Sequence, residues 1–306
     1  MPKKVKCLLL FSGGLDSMIA AKVLQDQKIK VLGIVFESCF FEKKQAQKSA
    51  KEIRLCLKIV DFSKKHWGIV KKPKYGYGKN MNPCIDCHLL MLKEAKKIMK
   101  KEGFDFVATG EVLGQRPMSQ GKSILKLLEK KSKLEGYLLR PLSAKFLEET
   151  IVEKKGKVVR EKLFLIQGRQ RKKQMVLARK FKIKKHPTPS GGCSLTDPEF
   201  SKRLKALLKN HSKISYQNIK FLKLGRHFWE GKFLILVGRD KKDNAKIKKI
   251  KQKKDILIEL EKMPGPTTLI PAFNKKIPQK IIKKAKELTQ KYSKGKKGKI
   301  SFKVML

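Results

Sequence analysis

Val5-Lys6-Cys7-Leu8-Leu9-Leu10-Phe11-Ser12-Gly13-Gly14-Leu15-Asp16-Ser17 is the stretch on which the reading of the fold turns. A short apolar run passes into a turn of hydroxyls and glycines. Residues 18–27 then carry apolar side chains at helical spacing. The order is strand, glycine loop, helix. Glycine lets the backbone close on an anion, and the helix start adds unpaired N–H groups and a positive dipole end, so the turn suits a polyphosphate. No lysine stands where a GxxxxGK[ST] loop needs one, which excludes that motif.

Working outward, residues 31–36 read as a second strand, 43–55 as a helix and 57–62 as a third strand. A Gly/Tyr/Lys-rich loop over 73–82 leads to a helix over 88–101, stopped by Gly103, and a strand over 104–109. Residues 137–140 supply a fifth strand. This alternation predicts an α/β fold with a parallel sheet covered on both faces. The pattern fades after residue 180, and the prolines and glycines of 186–192 exclude a helix interior there. Beyond lie an amphipathic basic helix (198–210), a hairpin of 221–229 and 232–238 about Glu230-Gly231, and strands over 255–260 and 300–306. We therefore expect an α/β domain with a polyphosphate-binding turn over 1–185, a cysteine-bearing loop and connecting helix over 186–210, and a small basic α+β domain over 211–306.

Of 306 residues, 76 are Lys or Arg and 26 Asp or Glu, a net charge of +50. Residues 1–150 hold 31 basic and 15 acidic groups, against 45 and 11 in 151–306, so the second half is the expected polyanion-binding half. A hydrophobic content of 41% excludes disorder over most of the length. The apolar run at 5–11 is interrupted by Lys6, is too short to span a bilayer and ends in a glycine turn, so the expectation is a cytoplasmic protein with no membrane partner. Lysine-rich stretches at 246–254 and 291–299 read as solvated arms or RNA-gripping surfaces, and 115–120 as a plain loop or as one that reads RNA or closes over ATP.

Six cysteines are too few for a disulfide scaffold. Cys7, Cys39 and Cys56 lie in apolar runs and read as small buried hydrophobes. Cys84, Cys87 and Cys193 stand beside Pro or Gly-Gly in turn-rich surroundings, where reactive or metal-binding thiols are found.

The Ser12 to Ser17 turn resembles the PP-loop of the ATP pyrophosphatases. That resemblance implies cleavage of ATP between its α- and β-phosphates and transfer of AMP to a carbonyl or amide oxygen. It also implies that Ser12, Gly13, Gly14, Asp16 and Ser17 surround the phosphates, that Asp16 lies near Mg2+, and that Phe36 borders adenine. Asn82-Pro83-Cys84-Ile85-Asp86-Cys87-His88, Ala108-Thr109-Gly110-Glu111 and Ser190-Gly191-Gly192-Cys193-Ser194-Leu195 together resemble the tRNA thiolation branch, the 2-thiouridylases and 4-thiouridine synthetases. The branch implies a tRNA substrate, a sulfide or persulfide donor, catalytic roles for Asp16, Cys87 and Cys193, and a nucleotide-holding Gly110. Gly225-Arg226-His227-Phe228 and Val237-Gly238-Arg239-Asp240 resemble the RNA-binding domain of NFACT proteins.

The cysteines admit three chemistries. A CxxC at a helix start has its thiolates stabilised by N-terminal N–H groups, which allows persulfide and disulfide exchange between Cys87 and Cys193. Structural zinc would take His88 or His186 as a fourth ligand. A 4Fe-4S cluster held by Cys84, Cys87 and Cys193 would leave one iron open to sulfide, and this is the preferred expectation because a persulfide relay has no need of Cys84. The alternatives to thiouridine synthesis are another PP-loop ligase with structural zinc and an inactive RNA-binding member of the same fold.

Overall fold

β1 (Lys6–Leu10) is the middle strand of a five-stranded parallel sheet. The computed structural model describes residues 4–116, 118–188, 192–293 and 301–305, and its chain divides into two units, Met1–Thr196 and Asp197–Leu306. In the first unit, α1 (Leu15–Asp26) follows β1, and β2 (Lys30–Glu37), α2 (Lys44–Glu52), β3 (Leu57–Asp61) and α3 (Ser63–Lys71) come next. After them come α4 (Cys84–Glu102), β4 (Phe106–Thr109), α5 (Lys122–Ser132), β5 (Leu138–Leu139), α6 (Ile151–Lys154) and α7 (Lys172–Lys180). The strand order is β3-β2-β1-β4-β5.

Alternation along β1 sorts the two layers. Cys7 and Leu9 join the core beneath α1, α2 and α7, whereas Leu8 joins Leu92, Met99 and Leu128 beneath α4 and α5. β1 pairs with β2 on one side and β4 on the other, Leu8 lying opposite both Leu32 and Val107. The chain leaves β1 toward β2 and returns on the far side as β4. The C-terminal ends of these two strands are therefore the topological switch point, where open α/β sheets bind ligands.

The expected α/β architecture is present. α4 starts four residues before the expected helix, directly after Pro83, so both Cys84 and Cys87 lie inside it. Cys7 is buried as expected. Cys39 is half-buried and Cys56 exposed, because Cys56 precedes an edge strand and not a central one.

The second unit begins with α8 (Pro198–Asn210), capped by Asp197, whose Oδ1 accepts from the Phe200 N–H at 2.7 Å. A 3-10 turn (Tyr216–Lys223) precedes β6 (Arg226–Glu230) and β7 (Phe233–Val237). The order continues with α9 (Lys241–Ile250), β8 (Ile256–Leu260), β9 (Thr268–Ile270), α10 (Gln279–Lys291) and β10 (Phe302–Met305). This sheet is antiparallel, in the order β10-β8-β9-β7-β6. β6 starts at Arg226, not at 221, because Gly225 takes a left-handed φ of +61° against the Val237 carbonyl. Residues 246–250, read as an arm, complete α9 with Ile247 buried. Most of 291–299 lies outside the described residues.

Candidate active site

The glycine loop is held by its neighbours. Gly13 has a φ of +76°, and a Cβ there would lie 2.5 Å from Ala46 Cα. The buried Ser49 hydroxyl on α2 donates to the Gly13 carbonyl at 2.7 Å. Ser17 Oγ donates to the Gly14 carbonyl at 2.8 Å, and the Gly14 N–H donates to Ser12 Oγ at 3.3 Å. No side chain caps α1, so the dipole at its start is available to an anion. Ser12 is exposed and Ser17 buried.

Asp16, in the first turn of α1, faces two loops that sequence reading left apart. Leu113 bridges to Gln167, and the Gly168 N–H donates to the Leu113 carbonyl at 2.7 Å. This pairing puts Gln115 Nε2 at 3.2 Å and Arg171 Nη2 at 3.6 Å from Asp16 Oδ2. Burial pushes the Asp16 carboxyl up, and Arg171 and Gln115 work against that shift. Its Oδ1 is buried with no hydrogen-bond partner. An orphaned carboxylate oxygen beside a phosphate loop fits a hard cation such as Mg2+. Arg171 was not singled out in the sequence; the only signal was its place in the basic run Arg169-Gln170-Arg171-Lys172-Lys173. Pro117 lies outside the described residues.

Three loops meet at the start of α4. Asp86, buried in its first turn, accepts from the backbone N–H groups of Lys74 (3.1 Å) and Tyr75 (3.0 Å), which pins the 73–82 loop. The Asn82 side-chain amide donates to Cys84 Sγ at 3.2 Å, and that of Asn80 donates to the Thr196 carbonyl at 2.7 Å. Ser194 donates to the Phe40 carbonyl through N–H (3.0 Å) and Oγ (2.9 Å). The Cys193 loop is thus tied at Ser194 to the end of the β2 segment and at Thr196 to the loop before Cys84. Ser190 and Gly191 lie outside the described residues.

The thiols are electrostatic neighbours. Burial pushes the Cys87 thiol well up, and Cys193, Cys84 and Asp86 add to the shift. This corrects the expectation of a helix-stabilised thiolate, since the Cys87 N–H is already spent on the Pro83 carbonyl at 2.8 Å and desolvation prevails. All six cysteines are thiols. Among the described residues no three of His, Cys, Asp and Glu are gathered so as to hold a metal ion. The described residues therefore give no support to the expected 4Fe-4S cluster on Cys84, Cys87 and Cys193, nor to the zinc set.

Phe36, expected to border adenine, is 6% exposed and packs its ring 5.2 Å from Phe62, within the same core cluster as Cys87. Gly110, at the end of β4, abuts the first turn of α1. The next residue, Glu111, anchors a buried network. Its Oε1 lies 2.9 Å from His88 Nδ1, and its Oε2 accepts from Arg140 Nε and Thr109 Oγ1, each at 3.0 Å. Arg140, 1% exposed, also meets Glu129. Burial opposes the Glu111 charge, yet Arg140 and His88 hold its carboxyl down at about 2. The network fixes α4 to the end of β4.

A parallel sheet with a glycine loop at its switch point defines a nucleotide-binding PP-loop fold of the HUP type. Residues 3–163 match the family model described as the tRNA methyl transferase HUP domain, and the chain belongs to that family. Residues 225–305 match the NFACT protein RNA binding domain. The tRNA-specific 2-thiouridylase MnmA of Marinobacter nauticus is 27% identical over 171 residues, 49% of this chain and 43% of that protein. The protein of the same name from Sulfurimonas denitrificans is 33% identical over 123 residues, 37% of this chain and 36% of its own length. The chain spans less than half the length of the curated relatives it matches. A crystal structure described as a predicted subunit of tRNA methyltransferase from Methanocaldococcus jannaschii aligns with a TM-score of 0.34 at 21% identity, covering 45% of this chain and 67% of the other. No helix among the described residues is long and apolar enough to cross a membrane.

Proposed function

We propose that the chain is an ATP-dependent tRNA sulfurtransferase that adenylates a uridine carbonyl and replaces its oxygen with sulfur. The observation that carries this reading is the docking of the Cys193 loop, through Asn80 and Phe40, onto the start of the helix that carries Cys84 and Cys87.

The chemistry follows from what the reaction needs. A uracil oxygen will not leave as hydroxide, so transfer of AMP converts it into a leaving group and releases pyrophosphate. The loop donors and the α1 dipole take up the phosphate charge, with Arg171 and Arg116 as cations close to Asp16. Asp16 Oδ1 would hold Mg2+, which supplies charge neutralisation along the phosphate chain when bound. A persulfide on Cys193, loaded by a carrier, attacks the activated carbon through its outer sulfur, and AMP departs. Cys87 then attacks Cys193 Sγ, which frees the thiocarbonyl and leaves a Cys87–Cys193 disulfide that an external thiol reduces.

The basic second unit supplies the RNA grip through phosphate contacts, and the protein works in the cytoplasm. The test is twofold. ATP incubated with tRNA should yield AMP and pyrophosphate, and nucleoside mass spectrometry of the tRNA should show a thiouridine. ADP and phosphate as products would defeat the reading.

A further inference from the structure

The arginines that the sequence offers for RNA contact are committed inside the second unit. Arg226 stacks 4.8 Å over the Tyr292 ring and donates to the Gly238 carbonyl, and Arg239 pairs with Asp243 at 2.5 Å. Nearby lies a cleft of about 210 Å³, walled by Lys213 and Gln217 on one side, Gln252 beyond α9, and Phe273-Asn274. We propose that this cleft receives one unstacked nucleobase of a bound RNA, a proposal that rests on the RNA-binding reading of this unit.

The lining is chemically selective. The side-chain amides of Gln217, Gln252 and Asn274 make no hydrogen bond within the described residues, and Lys213 has no carboxylate partner there. A planar amide offers a donor and an acceptor side by side, the pattern that base edges present. Asn218, by contrast, is committed: its Oδ1 accepts from the Ser215 N–H at 3.2 Å, and its backbone N–H donates to the Ser215 hydroxyl to close the capping box that shapes this wall.

Phe273 supplies the aromatic surface. Its φ is +45°, and that of Asn274 is +64°. A bulky residue is costly in the left-handed region and persists only where its surroundings hold it, a feature that clusters at ligand sites. Here His211 at 4.5 Å and Phe221 at 5.9 Å hold the ring. Lys213 in the lining supplies a cation for an RNA phosphate.

The test uses the full chain and fluorescein-labelled single-stranded RNA octamers, intact or with one abasic position, read by anisotropy. Gln217→Ala with Gln252→Ala, and separately Asn274→Gly, which tolerates the positive φ, should each weaken binding about tenfold with the salt slope unchanged. An abasic position should cost the parent protein about as much as the double variant does. A 5-iodouridine octamer should crosslink to the peptide bearing Phe273. If intact and abasic RNA bind alike and both variants match the parent, the cleft proposal is overturned while the RNA-binding reading stands. If the parent protein binds none of these RNAs and no tRNA, the RNA-binding reading falls and takes the proposal with it.

Discussion

A β-carbon built on Gly110 lies 2.6 Å from the Cα of Ser17. The end of β4 and the first turn of α1 thus touch through backbone, with no room for a side chain between them. Gly110→Ala should destabilise the protein by ~1–3 kcal/mol through overpacking and weaken ATP binding by displacing the loop. Thermal melts with and without ATP check both. A variant that binds and melts like the parent would mean the two segments are free to part.

Asp16→Asn should abolish pyrophosphate release while leaving tRNA affinity within about twofold, since charge lost at the phosphate site leaves the contacts of the basic unit intact. Arg171→Ala should raise the KM for ATP about tenfold, the effect of one charge-assisted contact. Steady-state assays of pyrophosphate with filter binding of tRNA separate the two effects.

Cys87 is buried with its thiol pushed well up, whereas Cys193 and Cys84 are half-buried. Iodoacetamide at neutral pH should therefore label Cys84 and Cys193 before Cys87, as peptide mass spectrometry would read. Because a raised thiol pKa limits the thiolate at neutrality, single-turnover sulfur transfer should accelerate as pH rises through 8 and 9. In the relay, Cys84→Ser should retain activity and Cys87→Ser and Cys193→Ser should not. A pH-independent rate, or equal loss in all three variants, would contradict it.

Glu111 lies well below its ordinary value of 4.5, at about 2, held there by Arg140 and His88 against the cost of burial. A depressed carboxyl contributes stability that is complete above the unfolded value and is lost as pH falls from 4.5 toward 2. Denaturant midpoints should decline across that window. Glu111→Gln leaves Arg140 short of one partner and should cost ~3 kcal/mol at neutral pH, with a flatter acid profile than the parent.

The charge excess of 151–306 predicts a steep salt dependence. tRNA affinity should fall about 10³-fold between roughly 50 and 200 mM salt for some six phosphate contacts. Replacing exposed lysines of α9 with glutamine should shallow the slope, and an unaltered slope would move the phosphate contacts elsewhere.

Sequence alone determined the features that are local. The strand-glycine-helix start at 5–27, the alternation that orders a parallel sheet, the bounds of α8 and the turn at Glu230-Gly231 all rest on periodicity and turn chemistry, which neighbouring residues express together. β9 escaped that logic: Thr268-Leu269-Ile270 is too short to show a period and sits between prolines, yet it is central because β7 and β8 pair with it. Only the tertiary structure decided what stands opposite what. The meeting of Asn80 with Thr196, the approach of Arg171 to Asp16, the packing of Phe36 against Phe62 and the desolvation of Cys87 depend on segments far apart in the chain. Burial and pKa belong to a folded surrounding, and the order of residues carries no record of which side chains will exclude water from a given thiol or carboxylate.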